Sequence, residues 1–118
     1  MKVLVVRPME MPAVQEIDHT LSAMQELVGG TIQAVYPFDD PVALVCNDEG
    51  KLLGLPWNRA LTDDHGVPYD IVCGTFFVAG LKEDDFASLT EQQIEKYKDK
   101  YSNEIILSVP KQPQAQKK

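Results

Sequence analysis

Asp70 to Ala79, DIVCGTFFVA, is the longest apolar run in the chain. It is rich in β-branched and aromatic residues and is far short of the ~18 residues that a membrane-spanning helix needs. It therefore reads as a strand at the centre of a sheet. Gly74, inside it, marks a bulge or a place where another part of the backbone comes close. Other segments supply neighbours for this strand. Lys2 to Arg7 (KVLVVR) is a short buried strand. Thr31 to Tyr36 (TIQAVY) alternates, and Val42 to Cys46 (VALVC) is apolar throughout. Asn47-Asp48-Glu49-Gly50 is a hairpin turn signal, which predicts that Lys51 to Leu55 returns antiparallel. Pro37 to Pro41 and Asp63 to Pro68 read as turns. Pro56 to Leu61 reads as a loop or a single helical turn, and Glu83-Asp84-Asp85 as a polar linker.

Two segments follow a different period. Val14, Ile17, Leu21, Met24 and Val28 recur at steps of three and four, one face of a helix starting at Ala13. Pro12 suits its first turn, and Gly29-Gly30 suits its stop. Thr90-Glu91-Gln92-Gln93 fits a capping box that opens a second helix running to about Tyr101. Leu89, Ile94 and Tyr97 or Tyr101 would face inward. Ile105 to Val109 could add a last strand or an apolar tether. The predicted order is β-α-β-β-β-β-α. The fold class is α+β, a mostly antiparallel sheet with both helices on one face. A single domain is expected over residues 1–109, with a Pro/Gln/Lys-rich disordered tail at 110–118.

Charge narrows the function. Asp and Glu number 18 against 11 Lys and Arg, a net charge of −7. Duplex DNA binding normally needs a basic face to neutralise phosphates, so direct duplex binding is not expected. The acidic residues come in twos and threes, a pattern that fits solubility better than mimicry of a phosphate backbone. Two cysteines and no secretory leader pattern point to a cytoplasmic protein with reduced thiols and no membrane association.

Most chemistry-bearing residues have plain structural readings. Cys46 and Cys73 sit in apolar runs and lack the close paired spacing of zinc ligands, so no metal or other cofactor is expected. His19 and His65 read as surface residues. The carboxylate clusters all fall in predicted turns, where Asp caps local N–H groups. Gly29-Gly30 follows a helix and so cannot cradle phosphate at a helix start. What stands out is Leu55-Pro56-Trp57-Asn58-Arg59-Ala60. Trp57 could stack on a base, Arg59 could fork onto a phosphate and Asn58 could read a polar edge. The alternative is a cap in which Trp57 fills the core edge and Asn58 bonds backbone.

The stretches VGGTIQAVYPFDDPVALVCNDEGKLLGLPWNRAL and YDIVCGTFFVAG resemble a domain family of unknown function from phages and mobile elements of Gram-positive bacteria. The features are the GG before a strand, the N-[DE]-E-G turn, L-P-x-N-R-A, I-x-x-G-T-F-F, and S-L-T-[DE]-x-Q-I after an acidic linker. They span roughly residues 1 to 100. The resemblance implies an accessory protein, with counter-defence as the suspected role. The turn followed by Asn58-Arg59-Ala60 is also distantly similar to the Thoeris-blocking sponge proteins of phages, which bind cyclic ADP-ribose-type signals without cleaving them. The resulting expectation is a non-enzymatic protein that sequesters a small nucleotide signal. Asn58 and Arg59 would form its centre, Trp57 or Phe38 would stack, and Arg7 would be a second cation. On that view Arg59→Ala removes binding and leaves the fold intact. The rivals are an acidic protein-binding antagonist of a host defence or restriction enzyme, and a small enzyme whose dyad forms only in three dimensions. The long apolar strand and the IILSV segment also suggest a homo-oligomer.

Overall fold

The computed structural model describes residues 1–107. In chain order its elements are β1 (Lys2–Val6), β2 (Ala13–Glu16), α1 (Leu21–Val28), β3 (Ile32–Val35), β4 (Val42–Asn47), β5 (Trp57–Thr62), β6 (Pro68–Cys73), β7 (Phe76–Lys82), β8 (Asp85–Ala87) and α2 (Glu91–Ser102). Five strands pair in the order β2-β1-β7-β4-β3, and β8 joins the end of β7. Every pairing is antiparallel. β5 and β6 form a separate two-stranded ribbon. The α+β class with a mostly antiparallel sheet and two helices is therefore the fold of this chain.

Strand side chains alternate between faces, and here both faces are covered. Val3, Val5, Ala43, Val45, Phe77 and Ala79 pack with Met24 and Val28 of α1 on one side. Leu4, Val6, Leu44, Phe76 and Val78 pack on the other with Leu61 and Val72 of the ribbon and with Ile94, Tyr97 and Tyr101 of α2. Burial on both faces explains why β1, β4 and β7 read as unbroken apolar runs. Each fully enclosed Val, Leu or Phe contributes about 1.5–3 kcal/mol relative to exposure. The expectation of both helices on one face is corrected: they lie on opposite faces.

The central run is two strands. Gly74 takes φ +87 between β6 and β7, and a Cβ there would lie 2.6 Å from Leu55 Cδ1. A left-handed residue ends the ladder, so the chain leaves the ribbon at Cys73 and enters the main sheet at Phe76. The long first helix is also corrected. Ala13–Glu16 is an edge strand on β1, with Val14 opposite Leu4. The helix begins only at Thr20, whose Oγ1 accepts from the Ala23 N–H at 3.1 Å. It ends, as predicted, on Gly29 in the left-handed region.

The predicted return strand at Lys51 to Leu55 is absent. Both edges of β4 are already taken, by β3 and by β7, so no ladder remains for it. Instead, residues 48–54 coil into a turn held by bonds such as Leu53 N–H to Glu49 O at 2.9 Å. The ribbon strand β5 forms where a loop was predicted, and β8 begins at Asp85, the last residue of the predicted linker. The capping box of α2 is present in both directions, Gln93 N–H to Thr90 Oγ1 and Thr90 N–H to Gln93 Oε1. Residues 105–107 form no strand. The remainder of the predicted last segment and the 110–118 tail lie outside the described residues. Among the described residues no helix is long and apolar enough to cross a membrane.

Candidate functional site

Asn58 and Arg59 follow one another in β5, where alternation would send one side chain out. The pairing of β5 with β6 slips between Trp57 and Arg59. Such a bulge re-aims side chains, and here both point inward with no exposed surface. Asn58 Nδ2 donates to Val6 O and to Gly74 O, each at 2.9 Å. Its Oδ1 accepts from Arg59 Nη1 at 2.8 Å. Arg59 then grips three parts of the chain. Nε and Nη2 donate to Tyr101 O at 3.0 and 2.9 Å, Nη2 to Glu10 O at 2.7 Å, and Nη1 to Asn58 O at 3.3 Å.

All these acceptors are neutral. No carboxylate among the described residues forms an ion pair with Arg59. What favours a cation here is its place at the C-terminal end of α2, where unpaired carbonyls and the helix dipole present negative charge. Burial pushes the guanidinium below its ordinary value, and the field of Glu104 pushes it up. Asn58 and Arg59 thus hold together the end of β1, the 9–11 loop, the β6–β7 junction and the end of α2.

The other predicted site residues lie apart. Half-buried Phe38 packs on Tyr97 with ring centroids 4.7 Å apart. It lines a cleft of about 220 Å³ with Lys96, Tyr97, Lys100, Asp39 and Asp63. Both lysines there have partners: Lys96 meets Asp40 at 2.7 Å and Lys100 meets Glu104 at 2.9 Å. Trp57 lines a shallow depression of about 470 Å³ on the ribbon, with Pro68, Tyr69 and Ile71. Arg7 reaches Gln15 at 3.5 Å and borders a groove beside α1. Only Asn58 and Arg59 meet. The five residues do not share a cavity.

Cys46 and Cys73 are free and buried, and burial pushes both thiols up, away from the reactive thiolate. His19 is a partly exposed partner of Asp85 at 3.3 Å, in the loop before α1. His65 lies in the β5–β6 turn, where Asp63 Oδ1 accepts from the His65 and Val67 N–H groups at 2.9 Å. Among the described residues no group of three His, Cys, Asp or Glu is placed to hold a metal ion.

Sequence reasoning passed over a group of exposed apolar side chains. Leu52 is 86% exposed, Tyr69 60%, Leu53 58% and Val67 54%. All belong to the ribbon or to the 48–54 turn beside it. A signal for half of them was present: Val67 and Tyr69 sit within a polar turn and its acidic flanks. Leu52 and Leu53 were hidden by their assignment to a strand.

No curated protein and no solved structure matches the chain. A family model does match, over residues 1–102, nearly all of the described fold and every residue of the Asn58–Arg59 network. The chain belongs to the family described as a domain of unknown function, DUF3846.

Proposed function

We propose that this chain is a non-enzymatic accessory protein of a phage or mobile element that works in the bacterial cytoplasm by binding a protein of the host's defence. The observation that carries this reading is the exposure of four large apolar side chains on the ribbon and the turn beside it, Leu52, Leu53, Val67 and Tyr69, with Asp48 and Glu49 lining the hollow next to Leu52. Apolar groups gathered in this way mark interaction surfaces. Arg59, the strongest candidate to clamp a phosphate, is engaged by carbonyls of its own chain. Capture from a host lysate on the immobilised protein, read by mass spectrometry, tests the reading. The expected result is one defence or restriction protein retained at low salt and released at high salt. The absence of any such partner would overturn it.

A second reading, sequestration of a small nucleotide, is favoured by the Phe38–Tyr97 cleft, where two aromatic rings stand beside Lys96 and Lys100. Asp39, Asp63 and Asp64 in the same lining work against an anion. A thermal-shift screen with cyclic dinucleotides, cyclic ADP-ribose isomers and NAD decides this. A stabilising ligand recovered intact supports a sponge. A ligand recovered altered makes the protein an enzyme.

A further inference from the structure

Resting on the protein-binding reading, we infer that the face of the β5–β6 ribbon beside the 48–54 turn docks a cationic protein segment that carries an apolar anchor. The turn is fastened to the ribbon by the ion pair between Lys51 and Asp70. This contact sets Leu52 beside β6. On one side of the ion pair lies the depression floored by Trp57, Pro68, Tyr69 and Ile71. On the other is a hollow of about 200 Å³ bordered by Leu52, Ile71 and Val72. An apolar side chain of a partner fits either hollow and would shield the exposed Leu52 and Tyr69 from water.

Charge identifies the partner. The hollow beside Leu52 is lined by Asp48, Glu49 and Asp70 against one cation, Lys51. Lys51 is already paired with Asp70. Among the described residues Asp48 and Glu49 have no ion-pair partner, so this hollow carries unmatched negative charge, which favours Lys- or Arg-rich partners and repels acidic ones. A second copy of this chain would bring the same carboxylates against these.

The mode of docking also follows. The Ile71 N–H, which faces away from β5, is taken by Asp70 Oδ1 at 2.8 Å. The outer edge of β6 is thus blunted against strand addition, and the contact rests on side chains.

The test uses the full chain labelled with nitrogen-15 and three synthetic probe peptides of equal length. One alternates Lys with Leu and Trp, one replaces every Lys by Glu, and one keeps Lys but replaces Leu and Trp by Ser. The basic apolar peptide is expected to shift amide signals of the 48–54 turn and the ribbon saturably, and the other two to leave them in place. Tyr69→Ser and Leu52→Ser, at exposed positions, should each weaken that binding about tenfold without changing net charge. Equal response to the acidic peptide, shifts centred on another face, or unchanged affinity in both variants would overturn the proposal. A dimer that Tyr69→Ser dissociates would make the occupant a second copy and overturn it too. So would contacts from the chain's own Lys111, Lys117 and Lys118. If the surface fails while the lysate experiment still yields a partner, protein binding stands and only this surface falls. If both fail, both fall.

Discussion

Within the β5–β6 ribbon, polarity is inverted from one end to the other. At the inner end, Asn58 and Arg59 carry the richest polar chemistry in the chain and expose none of it. Toward the outer end Val67 and Tyr69, and in the 48–54 turn beside β6 Leu52 and Leu53, leave most of their surface in water. The usual arrangement is the reverse, since polar groups cost free energy when buried and apolar ones when exposed. The inner end resolves the conflict by satisfaction: every donor of the Arg59 side chain that is described finds a carbonyl or amide oxygen. The outer end resolves it only if something else covers it. A residue's chemical type is thus a poor guide to its role. Its partners are a better one.

The comparison breaks first at Arg59. Removing this side chain leaves Tyr101 O and Asn58 Oδ1 without these donors in the interior and breaks the partly buried bond to Glu10 O. Arg59→Ala should cost about 3 kcal/mol or more, read as a fall in the urea midpoint. Asn58→Ala strips the donors from Val6 O and Gly74 O and the acceptor from Arg59 Nη1. About 2 kcal/mol is expected from the same assay. Gly74→Ala tests the junction that separates ribbon from sheet. With φ +87 and Leu55 in the way, it should cost about 1–2 kcal/mol by thermal unfolding.

A smaller effect concerns the cleft. Hydrogen bonds from Lys96 first, and from Tyr97 next, hold the Asp40 carboxyl below its ordinary 3.8. A folded-state pKa below the unfolded one stabilises above the unfolded value, and the gain is lost as pH falls through the folded value. Stability should therefore decline with acid below about pH 4. Asp40→Asn should flatten that decline, as unfolding curves at stepped pH will show. The smallest expected effect lies at the outer end. Tyr69→Ser should change stability by no more than about 0.5 kcal/mol, which sharpens the contrast with Arg59→Ala. A loss of several kcal/mol there would mean that Tyr69 belongs to the fold.

The sequence made local signals legible and left long-range ones hidden. Thr90 and Gln93 announce their helix because the capping box lies within one turn. Gly29 announces a helix end for the same reason. Val14 and Ile17 misled because Val14 belongs to an edge strand, and only β1, far away in sequence, makes it one. Gly74 was read as a bulge or close approach; it is a close approach, to Leu55, and its larger effect is to divide one apolar run between two sheets. Lys51 to Leu55 could not be assigned from its own residues, since what excludes it from the sheet is that β3 and β7 already flank β4. At the candidate site, the adjacency of Asn58 and Arg59 was plain. Their inward turn was not, because it depends on a register slip against β6. The exposed Leu52 and Leu53 were invisible for the opposite reason: apolar letters in a plausible strand give no hint that they face water.

Urea unfolding of Arg59→Ala tests this account most directly. The account predicts a much lower midpoint with an unchanged slope, the mark of a lost interior clasp. A variant that unfolds like the wild type but no longer binds its ligand or partner would contradict it and return Arg59 to the binding site.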